Sequence, residues 1–381
     1  MAGAIHIPRA AGAVALERWL LTSALRESTP GETNEGEARA GGPAYCSNGD
    51  TVTPNRRDAA AAGRGPLERN SPAGGRMGVP DELQQLAWEL PHNFLGLDEA
   101  ASDFATARAV ILPVPYESTT SYGGGTGGGP AAILAASRYI ELYDQELDCE
   151  PYEIGIATLP ALSLTGAGAA HAIAELRTAY DALLDTGDRF IVMLGGEHSI
   201  TSAPVLAWAD RIAPQRLSVL QIDAHTDLRL EYEGSAYSHA SVMARTMDRV
   251  DITAVGIRAL TRDERELART ADNIHIFLAD DIHTGEAWID DVMATLGEVV
   301  YITFDVDGFD PSLVPSTGTP EPGGLQWYPV LKLLRRVFRE RRVVAADVVE
   351  LAPIAGLAAP DFLVAKLVYK MIGYRADHKQ N

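Results

Sequence analysis

Cysteine is nearly absent. The 381-residue chain holds two, Cys46 and Cys149. With no zinc-type spacing between them they make neither a disulfide framework nor a thiolate metal site, and a reducing, cytoplasmic setting is expected. Basic residues are also in short supply: 32 Lys and Arg stand against 52 Asp and Glu, a net charge of −20. Nucleic-acid binding needs clustered Lys and Arg, so that class of partner is excluded. Long apolar runs are missing too. No stretch approaches the roughly 18 uninterrupted apolar residues of a membrane span. The opening MAGAIHIPRAAGAVALERWLLTSALRES lacks the compact apolar run behind a basic cluster that a secretory signal requires. The acidity has two readings, solubility or attraction of a cationic substrate, and net charge alone does not separate them.

What is present falls into two parts. Residues 1–77 are rich in Ala, Gly, Arg, Glu and Pro with little apolar periodicity after Leu25. Such a segment buries too little apolar surface to offset its ordering entropy, so a disordered extension is expected, with Met77 as an alternative start. Residues 78–381 form the expected catalytic domain. In it, apolar runs read as strands: AVILPV (109–114), RFIVML (189–194), LSVLQI (217–222), ITAVGI (252–257), NIHIF (273–277), VVYITF (299–304) and VVAADVV (343–349). Helical patterns such as AHAIAELRTAYDALLDTG, ITSAPVLAWADRIA and LQWYPVLKLLRRVFRERR lie between them. Near-continuous Val/Ile/Leu strands alternating with helices predict a single three-layer αβα domain of the α/β class, with a mostly parallel sheet.

Three of these strands run into polar clusters at their carboxyl ends: Gly195-Gly196-Glu197-His198-Ser199, Asp223-Ala224-His225-Thr226-Asp227, and Asp305-Val306-Asp307 followed by Gly308-Phe309-Asp310-Pro311. Alone, each has a plain explanation as a loop cap, a surface ion-pair set or a strand-to-helix turn. Together they converge, because the carboxyl ends of parallel strands share one crevice. Asp223, His225 and Asp227 alternate so that all three point to one side, as do Asp305 and Asp307. Carboxylates gathered this way repel unless cations neutralise them. Imidazoles and carboxylates without thiolate favour a hard-to-borderline divalent ion, Mn²⁺ ahead of Ni²⁺ or Fe²⁺. Six ligands are too many for one catalytic ion with an open position and suit a two-metal site whose bridging water is deprotonated near neutral pH.

GGEHS, DAHTD and the F-DVDGFDP run, in this order, resemble the ureohydrolase family of arginases and agmatinases, over about Asn93 to Tyr374. LRLEYEGSAYSHAS (228–241), TGTPEPGGL (317–325) and DVVELAP (347–353) are similar to the agmatinase branch. The resemblance implies an arginase-like fold and two Mn²⁺ ions. One would be held by His198, Asp223, Asp227 and Asp305, the other by His225, Asp307 and the bridging Asp223 and Asp305. It further implies that Asp227 orients the nucleophile, that His239 shuttles a proton, and that Glu350 pairs with a guanidinium, whose fork of donors matches a carboxylate. The implied reaction is hydrolysis of agmatine, a small cationic substrate, to putrescine and urea. Guanidinobutyrate, aminopropylagmatine, formiminoglutamate and guanidine are alternatives, as is a non-catalytic scaffold on the same fold. A homo-oligomer, trimer or hexamer, is implied as well. The chain departs from the family at Glu197, where Asp is common, at Thr303, where Ser is usual, and at Ala240, where Gly is more frequent.

A rival reading comes from Gly123-Gly124-Gly125-Thr126-Gly127-Gly128, which satisfies G-x-G-x-x-G before a helix. It lies several residues past its strand, and the acid expected about 20 residues on (Glu141 or Asp144) falls in a helical stretch, against a dinucleotide site. The resemblance instead makes it a flexible loop at the site's mouth, beside Tyr116 and Glu117. His92, His171, His275 and His283 have no partner motif and read as structural or surface residues; His6 and His378 lie near the termini. A chain beginning at Met77 is expected to fold cooperatively; its failure to do so in a denaturant titration would show that the preceding segment is needed.

Overall fold

All seven of these runs are strands in the computed structural model, which describes residues 90–378 apart from Thr165 and Glu286. The expectations placed on residues 1–77, including Cys46, His6 and the Met77 start, and on the side chain of His378, lie outside the described residues. The strands are β1 (Ala109–Val114), β2 (Ile156–Thr158), β3 (Phe190–Gly195), β4 (Leu217–Ile222), β5 (Val250–Ile257), β6 (Ile274–Leu278), β7 (Val299–Asp305) and β8 (Arg342–Val349). They form one sheet in the order β2-β1-β3-β8-β7-β4-β5-β6, and every pairing is parallel. Only β2 is additional to the expectation. It is an edge strand of three residues, too short for periodicity to reveal.

The longer helices are α1 (Gly129–Ser137), α2 (Ala169–Leu184), α3 (Ser202–Ile212), α4 (Arg262–Thr270), α5 (Trp288–Thr295), α6 (Trp327–Glu340) and α7 (Ala359–His378). They cover both faces. Alternate residues of each strand enter opposite cores: Phe190, Val192 and Leu194 pack with α1, α5, α6 and α7, whereas Ile191 and Met193 pack with α2, α3 and α4. This is why the strands lack polar alternation. Helix α6 buries Val330, Leu331, Leu333, Leu334, Val337 and Phe338, the spacing of a single apolar stripe, and leaves Arg336 to pair with Asp290 and Glu340 on the solvent side. No described helix is long and apolar enough to cross a membrane.

The order of strands matters most at the centre. β3, β8, β7 and β4 are neighbours, and the register sets Asp305 beside Val349 and Ile222 beside Phe304. Residues at and just past these pairs emerge side by side at the carboxyl ends of the central strands. They are His198, Glu350, Asp305, Asp307 and the Asp223–Asp227 run.

Helix α7 is anchored by a charge set outside this centre. Lys370, 2% exposed, places Nζ 2.7 Å from Asp144 Oδ1 and 2.8 Å from Glu146 Oε2. Removing one member of such a buried set leaves uncompensated charge at a cost of about 3–5 kcal/mol. Lys370→Met is therefore expected to lower the denaturant midpoint accordingly with an unchanged slope, and a midpoint within experimental error of the parent would contradict this.

Candidate metal centre

The structure brings all six sequence-predicted ligands together. His198 Nδ1 stands 3.2 Å from Asp223 Oδ2, 3.0 Å from Asp227 Oδ2 and 3.3 Å from Asp305 Oδ2. It is buried and makes no hydrogen bond. On the other side His225 Nδ1 lies 3.1 Å from Asp307 Oδ2 and 3.6 Å from Asp223 Oδ1. Asp223 thus presents one oxygen to each imidazole. Two groups of donors result, His198–Asp223–Asp227 and Asp223–His225–Asp307, each compact enough to hold one ion. A buried nitrogen aimed at three carboxylate oxygens without a hydrogen bond is the arrangement a divalent cation completes.

Charge balance supports the same conclusion. Burial pushes the Asp305 carboxyl well above its usual range, and Asp307 and Asp223 add to the effect. Asp227 is raised by burial and by Asp223. Burial also opposes charge on His225, but Asp307 and Asp223 outweigh it and hold its pKa at about 12. Without a cation, the cluster therefore keeps protons that its members would otherwise shed.

Four of the six donors are fixed by a further contact. His198 Nε2 lies 2.9 Å from Thr303 Oγ1, and that hydroxyl donates to Asp347 Oδ1 at 2.6 Å. The hydroxyl proton being committed, the neutral ring carries its proton on Nε2 and turns the Nδ1 lone pair toward the carboxylates. Gln221 Nε2 donates to Asp223 Oδ2 at 2.8 Å, the Ala224 amide to Asp307 Oδ1 at 2.9 Å, and the Asp307 amide to Asp305 Oδ1 at 2.9 Å. Sequence reading missed Gln221 and Asp347. The clue for Asp347 was a carboxylate inside an apolar strand, a position that demands a partner.

Glu350 follows β8, and its Oε1 accepts the His198 amide at 2.6 Å. Burial raises its pKa to about 8. Two residues here adopt left-handed backbone, Asp227 at φ 52° and Glu350 at φ 65°. For non-glycine residues this conformation costs on the order of 1–3 kcal/mol and concentrates at functional sites. The Glu350 amide, donating to Gly196 O at 2.8 Å, holds the turn. Gly196 itself admits no side chain, since a Cβ there would meet Tyr116 O at 1.9 Å. The glycine pair in GGEHS therefore serves close packing.

These groups open into a cavity of ≈ 290 Å³ lined also by Tyr122, Arg229, Tyr232, His239, Glu264 and Glu321. The glycine-rich loop borders it through Thr120–Gly123. Its backbone donors are occupied: the Gly125 and Gly127 amides bond the Glu117 carboxylate at 2.7 and 2.8 Å. A loop already closed on a carboxylate has no cradle for a pyrophosphate, and the dinucleotide reading fails. His171, His275 and His283 take no part in the cavity.

The sequence pattern of the Arginase family matches residues 107–373. The N(1)-aminopropylagmatine ureohydrolase of Synechocystis sp. is 40% identical over 291 residues, covering 74% of this chain and 94% of that protein. The enzyme of the same name from Thermus thermophilus is 41% identical over 278 residues, 73% of this chain and 93% of that one. The crystal structure of the agmatine ureohydrolase of Thermoplasma volcanium is 28% identical and superposes with a TM-score of 0.69, covering 79% of this chain and 99% of that one. The chain belongs to the arginase family. As a member with the His/Asp cluster in place, it is a metal-dependent hydrolase of C–N bonds in linear amidines. Arginase-family membership also accounts for the parallel αβα sheet.

Because Asp223 is shared between the two donor groups, Asp223→Ala is expected to abolish uptake of both ions, whereas Asp307→Ala keeps about one per chain. Elemental analysis of protein equilibrated with Mn²⁺ checks this, and equal loss in the two variants would contradict it. With His225 and Asp305 holding protons in the metal-free protein, Mn²⁺ addition should acidify a weakly buffered solution, and apparent affinity should rise with pH.

Proposed function

We infer that the protein hydrolyses the guanidinium group of agmatine-type amines to urea and a free amine, and that it prefers N1-aminopropylagmatine to agmatine itself. The observation that carries the reaction is the pair of donor groups sharing Asp223, with the Glu350 carboxylate at their edge in one cavity. His198, Asp223, Asp227 and Asp305 would hold one ion, and His225, Asp223, Asp305 and Asp307 the other, Mn²⁺ being the best match to an all-carboxylate and imidazole set. When bound, the metal pair supplies a water that is deprotonated near neutral pH. Asp227 orients the attacking oxygen toward the guanidinium carbon. Glu350 accepts two N–H bonds from the guanidinium, a charge-assisted pairing that sets the carbon in place. The C–N bond to the alkyl amine then breaks, and His239 returns a proton to the departing nitrogen.

Two considerations support the longer substrate over the agmatine expected from sequence. The relatives at 40% and 41% identity carry the aminopropylagmatine name, against 33% for the Agmatinase of Pyrococcus horikoshii. In the cavity, Glu264 is engaged with the Thr261 amide at 2.6 Å and has Arg229 at 4.0 Å, but Glu321 makes no ion pair or side-chain hydrogen bond with another described residue. An added ammonium would find a partner there.

Urea release by Mn²⁺-loaded protein is expected to show kcat/KM at least about tenfold higher for N1-aminopropylagmatine than for agmatine, a difference near 1.4 kcal/mol. Parity, or a preference for agmatine, would return the assignment to agmatine, and no urea from any guanidinium compound with both ions bound would overturn the reading. Glu350→Gln should lower kcat/KM by about 100-fold with metal content unchanged; kinetics like the parent's would remove Glu350 from guanidinium pairing.

A further inference from the structure

Glu197 is fully buried and none of its bonds goes to the metal ligands. Its Oε2 accepts the amides of Ser118 and Thr119, both at 2.6 Å. Its Oε1 accepts the hydroxyls of Thr119 at 2.8 Å and Ser199 at 2.5 Å. The carboxylate thereby ties the segment after β1 to the segment after β3. The Thr119 hydroxyl then turns to a third segment. It accepts the His239 amide at 3.0 Å and lies 3.3 Å from His239 Nδ1.

A hydroxyl carries one proton. That of Thr119 goes to the charged carboxylate, the shorter and charge-assisted partner. Toward His239 the oxygen therefore has only lone pairs to offer. A bare Nδ1 would set lone pair against lone pair, whereas an Nδ1–H would make a hydrogen bond. Ser238 Oγ, also 3.3 Å from Nδ1, can rotate to suit either state and does not decide between them. Also beside the imidazole is the ring of Tyr232, edge-on with centroids 5.8 Å apart, itself covered by Arg229 at 4.7 Å. It offers Nδ1 no competing donor.

We propose that Thr119, backed by Glu197, is a positioning residue that fixes the proton of neutral His239 on Nδ1 and so leaves Nε2 as the atom that takes up and returns the proton in the cavity. The inference rests on the reading of His239 as the group that protonates the departing amine. The same link serves both states of the ring. When Nε2 is protonated, Nδ1–H keeps its bond to Thr119, and the Glu197 charge acts on the imidazolium through the hydroxyl. Loss of the hydroxyl frees the ring to adopt the other tautomer, which presents an N–H where a lone pair is needed.

The test uses full-length, Mn²⁺-loaded protein and steady-state urea release. Thr119→Val, which keeps the volume and β-branching, is expected to lower kcat by about 100-fold, the lower end of what acid–base groups contribute, with KM and bound metal unchanged. Thr119→Ser should recover most of kcat, and Thr119→Ala should fall with Thr119→Val, so that the result stands even if the valine variant folds poorly. His239→Ala separates the two levels. If it retains parental kcat, the reading of His239 fails. If it loses kcat but Thr119→Val and Thr119→Ala do not, the reading stands and the positioning role is overturned. The double variant Thr119→Val/His239→Ala should be no slower than His239→Ala alone, since a positioning residue has nothing left to position; an additive loss would assign Thr119 a separate, structural effect and overturn the proposal.

Discussion

Buried negative charge is the constraint on which the rest of this structure depends. Four aspartates meet at the carboxyl ends of adjacent parallel strands, all nearly inaccessible to water. Carboxylates in that setting are unstable unless something compensates them. Part of the compensation is built into the chain: the amides of Ala224, His225 and Asp307 each bond a ligand carboxylate. Those amides lie just past the ends of β4 and β7, where the chain leaves the sheet and its N–H groups have no strand partner. The balance falls to cations. Local backbone geometry, strand order and donor chemistry are thus one arrangement, and altering the turn would disturb the metal cluster as surely as altering a ligand.

A second regularity appears at the histidines. His198 is held by Thr303, whose proton goes to Asp347. His239 is held by Thr119, whose proton goes to Glu197. In both cases a buried carboxylate takes the hydroxyl proton, and the hydroxyl oxygen faces one ring nitrogen. A carboxylate bonded directly to an imidazole would do the same job but would draw the ring strongly toward the imidazolium. The interposed hydroxyl fixes the ring's orientation without placing that carboxylate against it. The residue on the carboxylate side is invisible to a search for ligands, since it never enters the cavity.

This explains which parts of the site were legible in the sequence. Asp223, His225 and Asp227, like Asp305 and Asp307, are local: period-two spacing at a strand end puts them on one side without knowledge of the fold. Their convergence also followed once the strands were read as parallel. Glu350 carried no local signal, only Val349 before it and Leu351 after it, and was reached through family resemblance. Glu197 and Thr119 are 78 positions apart, and Thr119 and His239 are 120 apart. Contacts of that range depend on strand order, β1 beside β3 in this case, which no residue pattern encodes. The glycine-rich loop misleads for the opposite reason. Its spacing is local and satisfies a nucleotide motif, but the carboxylate of Glu117 occupies the amides the motif would use. β2 was missed because three residues give periodicity nothing to repeat.

The environment of Glu350 bears on what kind of molecule the cavity accepts. Burial lifts its carboxyl to about 8, so an ionised Glu350 beside the aspartates is costly until a positive charge arrives. On the proposed pairing, a guanidinium would bring that charge together with paired N–H donors and relieve the cost on binding, before any bond changes. A neutral amide brings neither. The donor cluster alone does not distinguish an acyl carbon from an amidine carbon. The pocket is not indifferent: a neutral substrate would leave Glu350 either uncompensated or protonated, with one acceptor fewer. On the proposed role of Glu350, cation selectivity would be set by a desolvated carboxylate before catalysis begins, and the chain's overall acidity would not be needed to account for it.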